Sequence, residues 1–175
     1  MTYHEYALLP QDRNRYEVID GELYVTPSPS YQHQRVIGRL YSILQAYVSS
    51  RGLGEVLTAP MDVLLSETNI VQPDILFLRT ERLPPITAKN ITVAPDLIVE
   101  AISPSSIEQD REDKRRVYAR HGVAHYWIVD PDRRSLELYE LAGPEYRLAG
   151  TFADEATATS SLFPGLTVPL QHLWA

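Results

Sequence analysis

The chain has 175 residues, enough for one domain (residues 1–175) with a full-sized core, and no cysteine for a disulfide or a thiolate metal site. It has neither a secretory signal nor an apolar stretch of about 20 residues, which argues against membrane insertion and predicts a soluble, cytoplasmic protein. The net charge of −7 counts against a nucleic-acid partner, because phosphate binding normally requires a basic surface.

The N-terminal part of the sequence predicts a short helix, a hairpin and a long helix. A Thr-x-x-Glu capping box predicts a helix over residues 2–9. Asp20-Gly21 separates two β-type runs in RYEVIDGELYV, which is the pattern of a tight β-hairpin. Apolar residues recur at helical spacing over residues 31–50, and Gly52 marks the end of that helix.

The remaining pattern predicts strands on both sides of a second helix. Three strand-like runs cover residues 55–65, 74–78 and 97–102, and capping signals predict a helix over residues 107–121. HYWIVD and SLELYEL follow as two strands, and the apolar tail SLFPGLTVPLQHLW is expected to pack on the core. This order predicts an α+β (mixed α/β) fold, with a central sheet flanked by helices and an N-terminal β-hairpin.

Glu100 is the first candidate for a functional site. It lies in LIVEAI, the most apolar strand-like run of the chain. Burying an unpaired charge is costly, so a carboxylate at this position is expected to be paired or to bind a metal ion. The alternative is that Glu100 points outward from a sheet with one solvated face.

Distance decides which aspartate can share a cation with Glu100. Asp96 lies four residues earlier on the same face of the strand, so at about 3.3 Å per residue the two are roughly 13 Å apart. That is too far for one ion whose oxygen ligands lie at about 2.1 Å. Asp74 lies on another strand-like run, and a neighbouring strand is only about 5 Å away. We therefore predict that Asp74 and Glu100 converge, although Asp74 taken alone suits a turn equally well.

Lys114 is the third candidate, because of its position on the second helix. One face of that helix carries Ile107, Arg111, Lys114, Tyr118 and His121. A lysine near the centre of an inward face is expected to meet an anionic group, whereas a lone lysine would more often extend to solvent. Two carboxylates can hold Mg²⁺, which activates a water and neutralises phosphate charge, and the ammonium can stabilise the transition state.

These segments resemble the PD-(D/E)XK nuclease superfamily, which has the restriction-endonuclease-like fold, and within it the Uma-type endonuclease family. The resemblance covers nearly the whole chain in order. It is carried by RYEVIDGELYV, the helix that begins at His33, VQPDILFL, PDLIVEAISPSS, DREDKRRVYARHGVAHYWIVDP and LFPGL. It implies an αβββαβ core, a divalent metal (Mg²⁺, with Mn²⁺ able to substitute), hydrolysis of DNA phosphodiester bonds and, by analogy with fold relatives, a homodimer.

The resemblance also implies roles for individual residues. Asp74 completes the "PD" pair, and Glu100 is the acidic residue of the second half of the motif. The lysine expected two places after that acid is Ile102 here, and Lys114 takes its place. The backbone carbonyl of Ala101 is implied as a further metal ligand.

Glu17 and His33 complete the candidate site. The resemblance makes Glu17 an additional acidic site residue, although an exposed hairpin glutamate is the alternative. His33 begins the inward face of the long helix and can reach a phosphate or a metal-bound water, although a core or capping histidine would also fit this position.

Basic residues around Lys114 predict a local DNA-binding surface on an acidic protein. Arg111, Arg115 and Arg116 are the predicted nucleic-acid contacts. Two other functions stay open: a non-catalytic module that binds nucleic acid or protein, and a metal-dependent hydrolase of small phosphate esters.

Overall fold

The computed structural model describes residues 1–10, 12, 14–26, 28–84, 88–102 and 109–175. Its α-helices are α1 (Tyr3–Tyr6), α2 (Tyr31–Arg51), α3 (Lys114–Arg120) and α4 (Gln171–Trp174). The first six strands are β1 (Arg15–Ile19), β2 (Glu22–Thr26), β3 (Gly54–Thr58), β4 (Val63–Ser66), β5 (Asn69–Val71) and β6 (Ile75–Arg79). The others are β7 (Leu97–Ala101), β8 (His125–Asp130), β9 (Ser135–Ala142), β10 (Glu145–Ala153), β11 (Thr157–Ala158) and β12 (Val168–Pro169).

The strands form one large mixed sheet and two smaller sheets. The large sheet has the order β10-β9-β8-β7-β6-β3, in which β7 and β8 are parallel and the other neighbours are antiparallel. A second sheet has the order β2-β1-β5-β4, and β11 pairs with β12. The predicted mixed sheet and the predicted N-terminal hairpin are both confirmed.

Two apolar cores cover the two faces of the large sheet. One core contains the buried face of α2 and the C-terminal tail, together with Val99 and Ala101 of β7. The other contains residues of α3 and of the four-stranded sheet β2-β1-β5-β4, together with Ile98 and Ile102. Because side chains alternate along a strand, Glu100 faces the second core. Its carboxylate therefore lies between the large sheet and α3.

Several sequence predictions change at the boundaries of elements. The long helix is confirmed, and Gly52 follows it with a left-handed φ of 61°. The single strand over residues 55–65 is wrong: β3 and β4 lie in different sheets, and Pro60 lies between them, where it has no N–H for a ladder. The sequence pattern does not predict the strands β5, β10, β11 and β12.

The second helix differs from the regular α-helix that the sequence suggests. Its described part starts with a π-helical turn (Gln109–Asp113), and α-helical geometry holds only over α3. Ile107 and the predicted caps, which begin at Ser105 and Ser106, fall outside the described residues. Along the part of the chain that the structure describes, we find no helix whose length and hydropathy suit a membrane span.

The C-terminal tail packs on the core as predicted. Phe163 is buried and contacts the rings of Tyr47, Phe77 and Trp127 edge-on. This packing joins the tail to α2 and to the large sheet, and so supports the strands that carry the candidate site.

Candidate functional site

Asp74 and Glu100 meet where β6 begins and β7 ends. The two strands are antiparallel, and Ile75 pairs with Val99, so the residues that flank this pair are neighbours across the ladder. Both carboxylates are buried. The backbone N–H of Ala101 donates to Asp74 Oδ2 at 2.8 Å. The predicted proximity of Asp74 and Glu100 is therefore present, while their catalytic and metal-binding roles stay predictions.

Asp96, which is too far along the strand to share a cation with Glu100, lies at the other end of β7. Its carboxylate accepts a hydrogen bond from Arg82 Nη1 at 2.8 Å and another from the backbone N–H of Arg79 at 3.0 Å. It thus has its own cationic partners away from Glu100.

Lys114 lies buried between two carboxylates. Its Nζ is 3.0 Å from Glu100 Oε1 and 3.0 Å from Glu17 Oε2, and only 2% of its side chain is exposed. Tyr118, one turn later on α3, donates from its hydroxyl to Glu100 Oε1 at 2.7 Å. Lys114 meets an anionic group as expected, and Tyr118 is a site residue that the sequence analysis did not identify.

Glu17 belongs to the same buried cluster and is not an exposed hairpin residue. Its Oε1 accepts the backbone N–H of Gln72 at 2.8 Å, and its other oxygen faces Lys114. The hairpin β1–β2 brings it there because β1 also pairs with β5, with Val18 opposite Ile70.

Arg15 is the largest addition to the predicted site. Its Nη1 donates to Asp74 Oδ1 at 2.7 Å, and its Nη2 lies 3.6 Å from Glu100 Oε2 and 3.7 Å from Glu17 Oε1. The signal in the sequence is spacing: Arg15 precedes Glu17 by two residues and so shares its face of β1.

His33 contacts Asp74 from the first turn of α2. Its Nε2 lies 3.0 Å from Asp74 Oδ2. The hydroxyl of Ser30, the residue before the helix, accepts the backbone N–H of His33 at 3.2 Å and fixes the start of α2. His33 therefore orients the Asp74 carboxylate directly, and its predicted contact with phosphate or water stays a prediction.

The surrounding charges keep Asp74 and Glu17 ionised. Burial raises the pKa of Asp74, but the hydrogen bond from His33 and the positive charge of Arg15 outweigh it, so this pKa lies below its ordinary value. Burial likewise raises the pKa of Glu17, and the charges of Lys114 and Arg15 lower it further than burial raises it. Among the described residues, the three carboxylates of Asp74, Glu17 and Glu100 thus face the cations Arg15 and Lys114, with His33 against Asp74.

The contact between His33 and Asp74 predicts a pH-dependent stability of the metal-free protein. Burial lowers the pKa of His33, but the hydrogen bond to Asp74 and its negative charge raise it more, so the net shift is upward from 6.5. The folded state therefore binds the proton more tightly than the unfolded state, and this stabilisation is complete below pH 6.5 and lost as pH rises through the folded pKa. Urea denaturation in EDTA across this window should show the free energy of unfolding falling more steeply with pH in the wild type than in His33→Gln.

Substitution of an exposed histidine gives the control. His172 lies on the solvent side of α4, so His172→Gln should retain the wild-type slope. Equal slopes in wild type and His33→Gln would show that the contact with Asp74 does not raise this pKa.

Comparisons with known proteins agree with this fold. The structure is similar to the crystal structure of "a putative nuclease belonging to DUF820" from Anabaena variabilis, with a TM-score of 0.84 and 20% sequence identity. The alignment covers 99% of this chain and 97% of that one. A family model named Uma2 and described as "Putative restriction endonuclease" matches residues 3–171. The chain belongs to the Uma2 family. No curated protein matches it.

The family match and the structural similarity confirm the predicted restriction-endonuclease-like fold. The oxygen and nitrogen donors at the site of this Uma2 protein determine whether a divalent metal would fit. Among the described residues, no group of three His, Cys, Asp or Glu side chains is arranged to hold an ion. Two carboxylates are sufficient for Mg²⁺, which keeps several water ligands. Asp74 and Glu100 both approach one cationic group, Arg15, so their oxygens point to a common position that suits a positive ion.

The site of the Uma2 protein opens into a cleft of about 490 Å³. Its walls include Arg15, His33, Gln72 and Asp74. Within the described ranges, the buried atoms Nε of Arg15 and Nδ1 of His33 have no hydrogen-bond partner. Buried polar groups are normally satisfied, so these two atoms favour a polar ligand in the cleft.

The predicted DNA-binding arginines of the Uma2 protein have partners within the chain. Arg111 Nη1 lies 2.9 Å from Glu137 Oε1, and Arg116 pairs with Asp113. The guanidinium of Arg115 lies 5.6 Å from the centre of the Tyr139 ring. The acidic partners of Arg111 and Arg116 reduce the positive field that the sequence predicted, and the DNA-binding role of the three arginines stays a prediction.

Proposed function

We propose that this Uma2 protein is a metal-dependent endonuclease that hydrolyses DNA phosphodiester bonds with Mg²⁺, for which Mn²⁺ can substitute. The observation that carries the proposal is the buried cluster in which Asp74 neighbours Glu100 across the ladder and Glu100 pairs with Lys114, with Asp74 also lining the cleft. The nuclease-like fold and the family match support the same chemistry.

Each side chain has a part in this proposal. Asp74 and Glu100 would hold the ion, with the carbonyl of Ala101 as the third protein ligand. When bound, the ion would lower the pKa of a coordinated water and neutralise charge on the scissile phosphate. His33 and the Ala101 N–H fix the orientation of Asp74, and Tyr118 fixes that of Glu100.

Lys114 supplies a fixed positive charge beside both acidic residues. Its ammonium bridges Glu17 and Glu100, so it holds the two carboxylates close together and lowers the pKa of Glu17. In this proposal the same charge would stabilise the negative charge that develops on the phosphate during hydrolysis.

A cleavage assay tests the proposed function. Purified protein should cut supercoiled plasmid and single-stranded DNA in Mg²⁺ or Mn²⁺ and leave both intact in EDTA. The activity should also coincide with the protein during gel filtration, because a contaminating nuclease would not elute at the same volume. Intact DNA in both metals, with folded protein, would contradict the proposal.

A non-catalytic binding module is the second candidate function. The net charge of −7 and the pairing of Arg111 and Arg116 with acidic side chains favour it. Calorimetry separates the two candidates: an endonuclease should bind Mn²⁺ in a manner that depends on Glu100, whereas a binding module need not. The homodimer, the cytoplasmic location and the single domain over residues 1–175 stay predictions.

A further inference from the structure

Arg15 contacts the same carboxylates that the proposed function assigns to the metal. Its guanidinium is 2.7 Å from Asp74 Oδ1 and 3.6 Å from Glu100 Oε2. A cation that bridges these two acids would need oxygens of both within about 2.1 Å. The guanidinium and a divalent ion therefore compete for overlapping positions.

Charge repulsion disfavours simultaneous binding of the Arg15 guanidinium and a divalent ion at the two carboxylates. A guanidinium and a divalent ion repel each other, and the repulsion is strong in a buried site because water screens it poorly. The guanidinium also neutralises part of the negative charge of the carboxylates, which would otherwise attract the metal ion. Without Arg15, the cluster of Glu17, Asp74, Glu100 and Lys114 has an excess of two negative charges.

Arg15 also has a route out of the cluster. Its side chain is 21% exposed, whereas those of Asp74 and Glu100 are 5% and 2% exposed. It lines the cleft, so the guanidinium can turn toward solvent without leaving β1 or disturbing either core. Lys114 is only 2% exposed and is not among the described residues that line the cleft.

We propose that Arg15 is a positioning residue that acts as an exchangeable counterion. In the metal-free protein it holds Asp74 and Glu100 together, and the incoming divalent ion displaces it toward the cleft. This inference rests on the proposed metal site. Arg15 thus stabilises the metal-free fold and weakens metal affinity.

Titration calorimetry with Mn²⁺ tests the exchange. Arg15→Gln should bind Mn²⁺ about tenfold more tightly than the wild type, because the competing charge is gone. In EDTA the same variant should melt at a lower temperature, and Mn²⁺ should raise its melting temperature more than that of the wild type. Arg15→Lys, which keeps a charge but has no planar fork, should fall between the two.

Arg82→Gln is the matched control, since Arg82 also pairs with a buried aspartate, Asp96, at the other end of β7. It should bind Mn²⁺ with wild-type affinity. Unchanged or weaker Mn²⁺ binding by Arg15→Gln would overturn the exchange. If Arg15→Gln does not fold in EDTA, Arg15→Lys decides, and wild-type affinity in that variant would also overturn it.

The outcomes also separate this inference from the proposed function. If the wild type cuts DNA but Arg15→Gln binds Mn²⁺ no more tightly than the wild type, the proposed function stands and the exchange of Arg15 for the metal is contradicted. If the wild type binds Mn²⁺ but cuts no DNA, and Arg15→Gln binds Mn²⁺ more tightly, the proposed function is contradicted and the exchange stands. Absence of Mn²⁺ binding in every variant would overturn both.

Discussion

Asp74→Asn is expected to lower the rate of metal-dependent DNA cleavage by at least about 100-fold. Substitution of groups that merely support a metal ligand typically costs about 10- to 100-fold, so loss of a ligand carboxylate should cost more. The side chain keeps its shape, and one amide oxygen can still accept the Ala101 N–H. Plasmid cleavage in Mg²⁺, measured over time with wild type and variant at equal concentration, checks the prediction.

Asp96→Asn is the matched control for this substitution. Asp96 is a buried aspartate at the opposite end of β7, and its partners Arg79 and Arg82 do not contact the site. Circular dichroism should confirm that both variants are folded before the rates are compared. Equal cleavage by Asp74→Asn and wild type would show that Asp74 is not needed for hydrolysis, or that another nuclease is present.

Lys114→Met is expected to lower the free energy of unfolding by about 3–5 kcal/mol, the usual cost of removing one partner from a buried ion pair. The variant leaves Glu17 and Glu100 without an ammonium that lies 3.0 Å from each. It should also reduce cleavage by roughly 100-fold if Lys114 stabilises the transition state as proposed, because that fixed charge is lost. Urea denaturation in EDTA measures the first effect.

Two further variants show whether charge is the cause. Glu17→Gln combined with Lys114→Met neutralises one of the two carboxylates that lose the ammonium, so the double variant should recover part of the lost stability. Arg116→Met removes an exposed cation that pairs with Asp113, and should change stability by less than about 1 kcal/mol. A Lys114→Met variant as stable as the wild type would contradict the buried ion pair.

Strand geometry and helical periodicity were sufficient to predict that Asp74, Glu100 and Lys114 lie close together; their functional roles stay predictions. Asp74 could be preferred over Asp96 because distance along a strand is fixed by the backbone, and the pairing of Ile75 with Val99 agrees. Lys114 could be assigned to the inner side of its helix because it follows the apolar face at helical spacing. Both arguments use regular geometry, which sequence encodes well.

Arg15 and Tyr118 could not be assigned in the same way. An arginine that begins a strand is exposed in most proteins, and only the partners of Arg15 on other strands explain why it is half-buried. A tyrosine on an inward helix face suits an apolar core, so its hydroxyl contact with Glu100 has no sequence signal of its own. The three-residue strand β5, which supports β1, is also too short to show a pattern.

The basic surface was the least predictable feature. A helical wheel shows that Arg111 shares a face with Lys114, but it cannot show that Glu137 of β9 lies opposite. The π-helical turn before α3 also changes the spacing on which the wheel depends. Charges that converge from distant strands require the tertiary structure.

Crystals soaked with Mn²⁺ give the most direct measurement. Anomalous scattering should show one ion between Asp74 and Glu100, within about 2.5 Å of an oxygen of each. Lys114 should keep its contact with Glu100 in that structure. An ion at another position, or no ion at a concentration that supports cleavage, would contradict the proposed metal site.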